Sequence, residues 1–290
     1  MIERAENMPQ PKPSGGSGPR FESGHSDRAA TSAATLAATQ PRVLVWFSCG
    51  AASAVATKLA LSKYSQRVVI AYCDTGSEHP DNQRFLVDCE KWFDVPVVRL
   101  KSQRYRDTWN VWESRRFLVG PEGALCTTEL KKMVRFAFQR ADDIQIFGYT
   151  AEERARAERF CTLNFDVRLE TPLIDARLTK ADCLAIVERA GIELPAMYRL
   201  GYRNNNCVGC VKGGIGYWNK IRRDFPEIFA RMATLERKLG RTVLPAARGT
   251  YLDELDPLRG NHADEPTFEC SLLCYMAEQD VRKRVWIHEM

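Results

Sequence analysis

Apolar positions in this chain come in two patterns: short solid runs, and longer stretches in which they recur at helical spacing. The first solid run is Val43-Leu44-Val45-Trp46-Phe47, between Pro41 and the small-residue stretch Ser48-Cys49-Gly50-Ala51-Ala52-Ser53. A run of this length bounded by turn residues predicts a buried strand. A helix-like stretch follows through Leu59 and Leu61, and Val68-Val69-Ile70-Ala71-Tyr72 predicts a second strand, ending at Asp74-Thr75-Gly76. Residues 81–93 place Phe85, Leu86, Cys89, Trp92 and Phe93 on one helical face. Further strands are predicted over residues 95–100, 144–148 and 166–171, with a helix over residues 127–140. Beyond Leu178 the pattern is helical. A helix opens at Thr179 or Lys180 and closes near Gly191, and two more cover residues 217–225 and 226–239, with Pro226 in a first turn where its missing N–H costs nothing.

Strands alternating with helices predict an α/β fold, an open parallel sheet with helices on both faces. Ligands of such sheets sit outside the carboxyl ends of the strands. Residues 1–41, rich in Pro, Gly, Ser and Ala, read as a disordered tail, because they cannot bury enough apolar surface to offset the entropy of ordering.

The 290-residue chain is 44% hydrophobic, enough for a substantial core, and its net charge of +5 suits an anionic small molecule or a nucleic acid without choosing between them. Ten cysteines would fit a secreted disulfide scaffold in a shorter chain. Here the length and the absence of an opening signal segment lead us to expect a reduced, cytoplasmic setting, with paired cysteines as metal or redox sites. No apolar run is long enough to span a bilayer, so no membrane association is expected.

The chemistry concentrates in a few segments. Small residues at Ser48–Ser53, between strand and helix, let backbone N–H groups reach an anion at a helix N-terminus, although a plain tight turn has the same requirement. After the second strand, Asp74 and Gly76 in Asp-Thr-Gly-Ser-Glu-His-Pro can meet a ribose or purine edge; the alternative is an Asx turn. Cys207 and Cys210, three positions apart, can grip one metal or cluster. Cys126 supplies a third thiolate, and the pair Cys270 and Cys274 a fourth with one thiol to spare. Buried core cysteines are the competing reading, and the one adopted for Cys73, Cys89 and Cys183. Among the basic residues Lys131, Lys132, Arg154, Arg156 and Arg159, we favour Lys131 and Arg156 as partners of phosphate or sulfate oxygens.

Together these segments resemble the phosphoadenylylsulfate (PAPS) reductase family, within the adenine nucleotide α-hydrolase-like folds, over roughly residues 42–212. Asp74-Thr75-Gly76 with Pro80 is similar to the family's second nucleotide motif, and Ser48–Ser53 to its modified pyrophosphate-type loop. Cys126-Thr127-Thr128-Glu129-Leu130-Lys131 resembles its Cys-Cys-x-x-x-Lys segment, with Thr127 in place of the second cysteine. Gly148 through Arg156 resembles the glycine-led, arginine-bearing loop after the fourth strand, Pro172-Leu173-Ile174-Asp175 its Pro-Leu segment, and Tyr202 through Cys210 its Gly-Tyr…Cys-x-x-Cys region. The first loop departs from ATP-cleaving members of the wider group, with Cys49 at the first of two glycine positions and Ala52 at the acid. Glu269-Cys270 partly matches the family's terminal Glu-Cys segment, with Leu273 where a histidine is expected.

The resemblance implies a nucleotide-binding α/β domain over residues 42–205 and a helical, cysteine-bearing region over residues 206–290. Ser48, Gly50 and Ser53 would cradle phosphate or sulfate, Asp74 and Gly76 would frame the adenosine, Gly148 would lead the loop after the fourth strand, and Lys131 and Arg156 would neutralise the anion. Cys126, Cys207, Cys210 and Cys274 would hold an iron–sulfur (4Fe-4S) cluster, with zinc as the alternative metal and Cys270 as the competing fourth ligand. Cys270 would otherwise attack the sulfur of an adenylyl sulfate, and a thiol reductant such as thioredoxin would then release sulfite. Two alternatives stay open: an ATP-dependent sulfurtransferase acting on DNA or tRNA, and a non-catalytic nucleotide-binding module with a four-cysteine zinc site.

Overall fold

Strand β1 (Val43–Trp46) is buried on both faces, and its side chains alternate between two apolar cores. Val43, Val45 and Phe47 enter one, Leu44 and Trp46 the other. The same alternation runs through β2 (Val68–Asp74), with Val68, Ile70 and Tyr72 on the first side and Ala71 and Cys73 on the second. A strand covered on both sides must be apolar at every position, which is why these strands read as solid runs. This computed structural model describes residues 40–120, 123–244 and 249–265. The expected disordered tail lies outside the described residues apart from Gln40 and Pro41, and so do Cys270 and Cys274.

Strands β3 (Val97–Lys101), β4 (Ile144–Ile146) and β5 (Arg168–Glu170) complete a five-stranded sheet in the order β3-β2-β1-β4-β5, with every pairing parallel. Helices α1 (Ala51–Tyr64) and α2 (Asn82–Phe93) cover the first face, joined by Cys183 and Val187 of a later helix at Lys180–Arg189. The second face is closed by Ala157 and Phe160 and by Val134 and Phe138.

The segment over Leu125–Phe138 is one helix with an irregularity. It opens as α-helix at Leu125–Thr127, widens to π-helical geometry at Thr128–Lys132, and returns to α at Met133–Phe138. We label these three pieces together α4, after α3 (Thr108–Arg115), and number the later helices α5 (Arg154–Leu163), α6 (Lys180–Arg189), α7 (Ile215–Asp224) and α8 (Pro226–Leu239). Helices α3 and α5 carry no strong apolar stripe. In α3 the start is set by Asp107, whose side chain accepts a hydrogen bond from Asn110 N at 2.7 Å. In α5 only Ala157 and Phe160 are buried.

A third core joins the C-terminal helices to earlier segments. Trp109, Val111 and Trp112 of α3 and Cys126 and Leu130 of α4 pack in one cluster with Tyr217, Trp218 and Ile221 of α7 and Met232 and Leu235 of α8. This core therefore has members on both sides of residue 205, and the described residues from Pro41 onward belong to one compact unit.

An ion pair pins the two central strands. Arg42, just before β1, donates through Nε to Asp143 Oδ1 at 2.8 Å and through Nη2 to Oδ2 at 2.6 Å. Arg140 N also donates to Asp143 Oδ2, at 2.7 Å, and the Asp143 side chain has no solvent exposure. Removing one member of a buried pair strands the other charge in a dry environment. Asp143→Ala is therefore expected to destabilise the protein by about 3 kcal/mol, read from the urea midpoint at unchanged slope.

Candidate functional site

Strand β1 pairs with β2 on one side and β4 on the other. The chain leaves β1 into α1 on the first face and leaves β4 toward α5 on the second. The two exits diverge, and the crevice between them is the topological switch point at which open α/β sheets bind ligands. A cavity of about 760 Å³ lies there, a volume suited to a small organic ligand. Its walls come from the end of β1 and the first turn of α1, the end of β2, the loop after β4, the start of α5, Lys131 of α4 and the Asn204–Asn206 segment.

The loop from Ser48 to Ser53 is held by its own hydrogen bonds. Ser53 Oγ accepts from Ser48 N at 3.0 Å and from Ser48 Oγ at 3.1 Å, and donates to Gly50 O at 2.9 Å. The Ser53 proton is thus spent within the loop, and its role is to shape the turn. Ser48 is the exposed hydroxyl of the two. Gly50 caps α1 in extended geometry with no side-chain cap and no acid in the first turn, so that end of the helix keeps its partial positive charge. Cys49 takes a left-handed φ of 54°, a region that favours glycine. Its carbonyl accepts a hydrogen bond from Asn205 Nδ2 at 2.7 Å, and burial raises its thiol pKa well above the ordinary value. Gly148 lies against this turn, where an added Cβ would sit 2.7 Å from Ser53 N. No other residue fits there without pushing the strand end away.

Four cations and three carboxylates line the cavity. Lys131, Arg156, Arg159 and Lys180 face it together with Glu78, Glu152 and Glu153. Arg156 pairs with Glu153 and lies over the Tyr149 ring, 5.7 Å from its centroid. Lys131 reaches the cavity from the π-helical turn of α4, a distortion that recurs at functional sites. Burial raises the pKa of Glu78 from its ordinary value, with Lys131 opposing the shift.

Six of the eight residues expected to bind the nucleotide line this one cavity: Ser48, Gly50, Ser53, Lys131, Gly148 and Arg156. Asp74 and Gly76 are placed elsewhere. Asp74 Oδ1 accepts from Gly76 N at 2.9 Å, the Asx turn of the alternative reading, and Oδ2 pairs with Lys101 at 2.9 Å. Gly76 is needed at φ 64°, where a Cβ would meet Arg106 O at 2.5 Å. Its demand is the approach of two backbone segments. Glu78, Tyr198 and the run Asn204-Asn205-Asn206 were not singled out by sequence reasoning. Three consecutive asparagines just before Cys207 were the available signal.

Three of the four cysteines expected to hold a metal lie among the described residues. Cys126 and Cys210 are buried in the third core, and Cys207 Sγ lies 3.1 Å from Thr75 Oγ1 beyond the end of β2. Tyr217 Oη accepts from Cys210 N at 2.9 Å, and Ser77 O accepts from Val208 N at 3.0 Å, fixing this loop between α7 and the turn after β2. Among the described residues no three His, Cys, Asp or Glu side chains are grouped to hold a metal ion. Cys270 and Cys274 lie outside the described residues. Cys73, read as a core residue, is buried and also borders the cavity.

No family model matches the chain. It is 23% identical over 207 residues to an uncharacterized protein of Methanocaldococcus jannaschii, a match covering 68% of this chain and 42% of that protein. The matched stretch is thus less than half of the relative's length. Among the described residues no helix is long and apolar enough to cross a membrane.

Two measurements probe the site. Burial pushes the Cys73 and Cys183 thiols up to about 12, whereas Cys161 is exposed. In the native protein near pH 8, iodoacetamide is expected to label Cys161 well before Cys49, Cys73 or Cys183, followed by peptide mass mapping. The second concerns Asp81, which clamps the turn carrying Tyr198. Asp81 receives Arg84 at 2.7 and 2.9 Å and Ala196 N at 2.8 Å, and the Arg84 hydrogen bonds lead in lowering its pKa to about 2. The lowered pKa makes the clamp's contribution complete above about pH 4 and lost as pH falls through about 2. Asp81→Asn is expected to cost about 1 kcal/mol at pH 7, a value trimmed for solvent screening, and progressively less as pH falls through about 2.

Proposed function

We propose that the switch-point cavity binds an adenine nucleotide bearing phosphate or sulfate, and that the protein works as a sulfonucleotide reductase of the PAPS reductase type. One observation carries this reading. Ser48, Gly50, Ser53, Lys131, Gly148 and Arg156, quoted from separate motifs of that family, converge on a single cavity at the carboxyl ends of a parallel sheet.

In this reading the first turn of α1 and the Ser48 hydroxyl receive the anion, and Lys131 and Arg156 offset its charge. The adenosine takes the remaining volume. The Cys270 thiolate attacks the sulfur of the adenylyl sulfate, an S–S bond forms, and the S–O bond to phosphate breaks, with the nucleotide leaving as its phosphate anion. A thiol reductant then attacks the Cys270 sulfur, sulfite departs, and a mixed disulfide remains. A cluster or zinc held by Cys126, Cys207, Cys210 and Cys274 belongs to the same proposal as a centre completed from outside the described residues, and no step above runs through it.

The test is sulfite release from adenylyl sulfates by anaerobically purified protein in the presence of a thiol reductant, with iron, sulfide and zinc measured on the same sample. Sulfite formation is expected, and Cys270→Ser is expected to abolish it while nucleotide binding persists. Pyrophosphate release from ATP on addition of DNA or tRNA would instead favour the sulfurtransferase alternative. Tight nucleotide binding without turnover would favour the non-catalytic one.

A further inference from the structure

The cavity contains a carboxylate that phosphate and sulfate cannot use. Glu78 follows β2, and its side chain is 7% exposed. Tyr72 Oη and Asn82 Nδ2 both donate to its Oε2, at 2.6 and 2.8 Å. Its Oε1 has Lys131 Nζ at 4.0 Å, beyond hydrogen-bond reach. One carboxylate oxygen is therefore anchored by two donors, and the other is left open on the wall of the cavity.

A second acceptor follows from the first. Asn82 gives its amide to Glu78, so its Oδ1 faces Asn205 and accepts from Asn205 Nδ2 at 2.8 Å. Asn205 Nδ2 is further committed to Cys49 O. The carboxylate thus fixes the orientation of both amides, and Asn205 Oδ1 is left buried without a partner. Asn205 is 8% exposed and lines the same cavity. Buried acceptors without donors are rare and need a cause.

A bare oxyanion has only acceptors to offer here. It gains nothing from Glu78 and is repelled by it. A ligand carrying hydroxyl or amino donors beside its anionic group gains a charge-assisted hydrogen bond. We propose that Glu78 is the specificity-determining residue of the cavity: its Oε1 accepts a hydrogen bond from a hydroxyl or amino group of the nucleotide, so that the site takes a nucleotide in preference to a bare oxyanion. This inference rests on the nucleotide reading above.

The experiment is isothermal titration of the full chain and of Glu78→Gln with adenosine 5′-phosphosulfate, ATP and inorganic pyrophosphate. The variant is expected to bind the nucleotides about tenfold or more weakly and pyrophosphate equally or more tightly, because a negative charge beside Lys131 is gone. Affinities for nucleotide and pyrophosphate that both rise, or both fall alike, would make Glu78 a counter-ion or a prop and overturn the inference alone. A wild-type chain that binds pyrophosphate but neither nucleotide would overturn the nucleotide reading with it. Should the variant fail to fold, the wild-type chain is titrated with 2′-deoxy, 3′-deoxy and 6-unsubstituted purine analogues of ATP. At least one is expected to bind about tenfold more weakly than ATP, and equal affinity for all three overturns the proposal.

Discussion

The whole arrangement depends on how closely two backbones approach beside the central strands. Gly148, after β4, lies against the first turn of α1 with no room for a side chain between them. That contact keeps the end of β4 and the start of α1 at a fixed separation, and the crevice between their diverging exits follows from it. Arg42 and Asp143 set the opposite end of the same two strands. Strands β1 and β4 are thus fixed to each other at both ends, and the loops that line the cavity at one end add chemistry to a fixed scaffold.

Charge inside that frame is nearly balanced. The cationic side chains that would draw an anion are each close to an acid: Arg156 to Glu153 and, more loosely, Lys131 to Glu78. Such pairing keeps an unfilled pocket from holding naked like charges in a poorly solvated place. It also means that an incoming anion must compete with a resident carboxylate at each position. The uncapped first turn of α1, with no acid in it, has no such competitor.

Much of the sheet was legible in the sequence because a parallel sheet is dry on both sides, and dryness shows as solid apolar runs. The strands after the first two were placed correctly, with ends off by a few residues. Helix α5 was missed because its burial is slight, with only Ala157 and Phe160 inside, and α3 because it is a short helix of eight residues whose buried Trp109, Val111 and Trp112 make no long periodic stripe. The glycine-led and lysine-bearing motifs led to the cavity. Asp74 did not, since the same sequence serves a turn, and only the position of Lys101 decides how its carboxylate is used. Glu78 was invisible for a related reason. A lone glutamate in a loop reads as solvated until the fold brings Tyr72 and Asn82 to it. Cysteine spacing likewise reported which thiols are neighbours in sequence and said nothing about Thr75, which Cys207 meets.

The π-helical turn in α4 has a consequence for insertions and deletions. Thr128–Lys132 holds one more residue than an ordinary helical turn would. That surplus residue lets a single helix serve two masters, with Cys126 and Leu130 turned into the third core and Lys131 into the cavity. A homologue shortened by one residue here would regain a regular helix, its two ends swung by about 100° relative to each other. It would have to surrender either the packing on one side or the ammonium on the other.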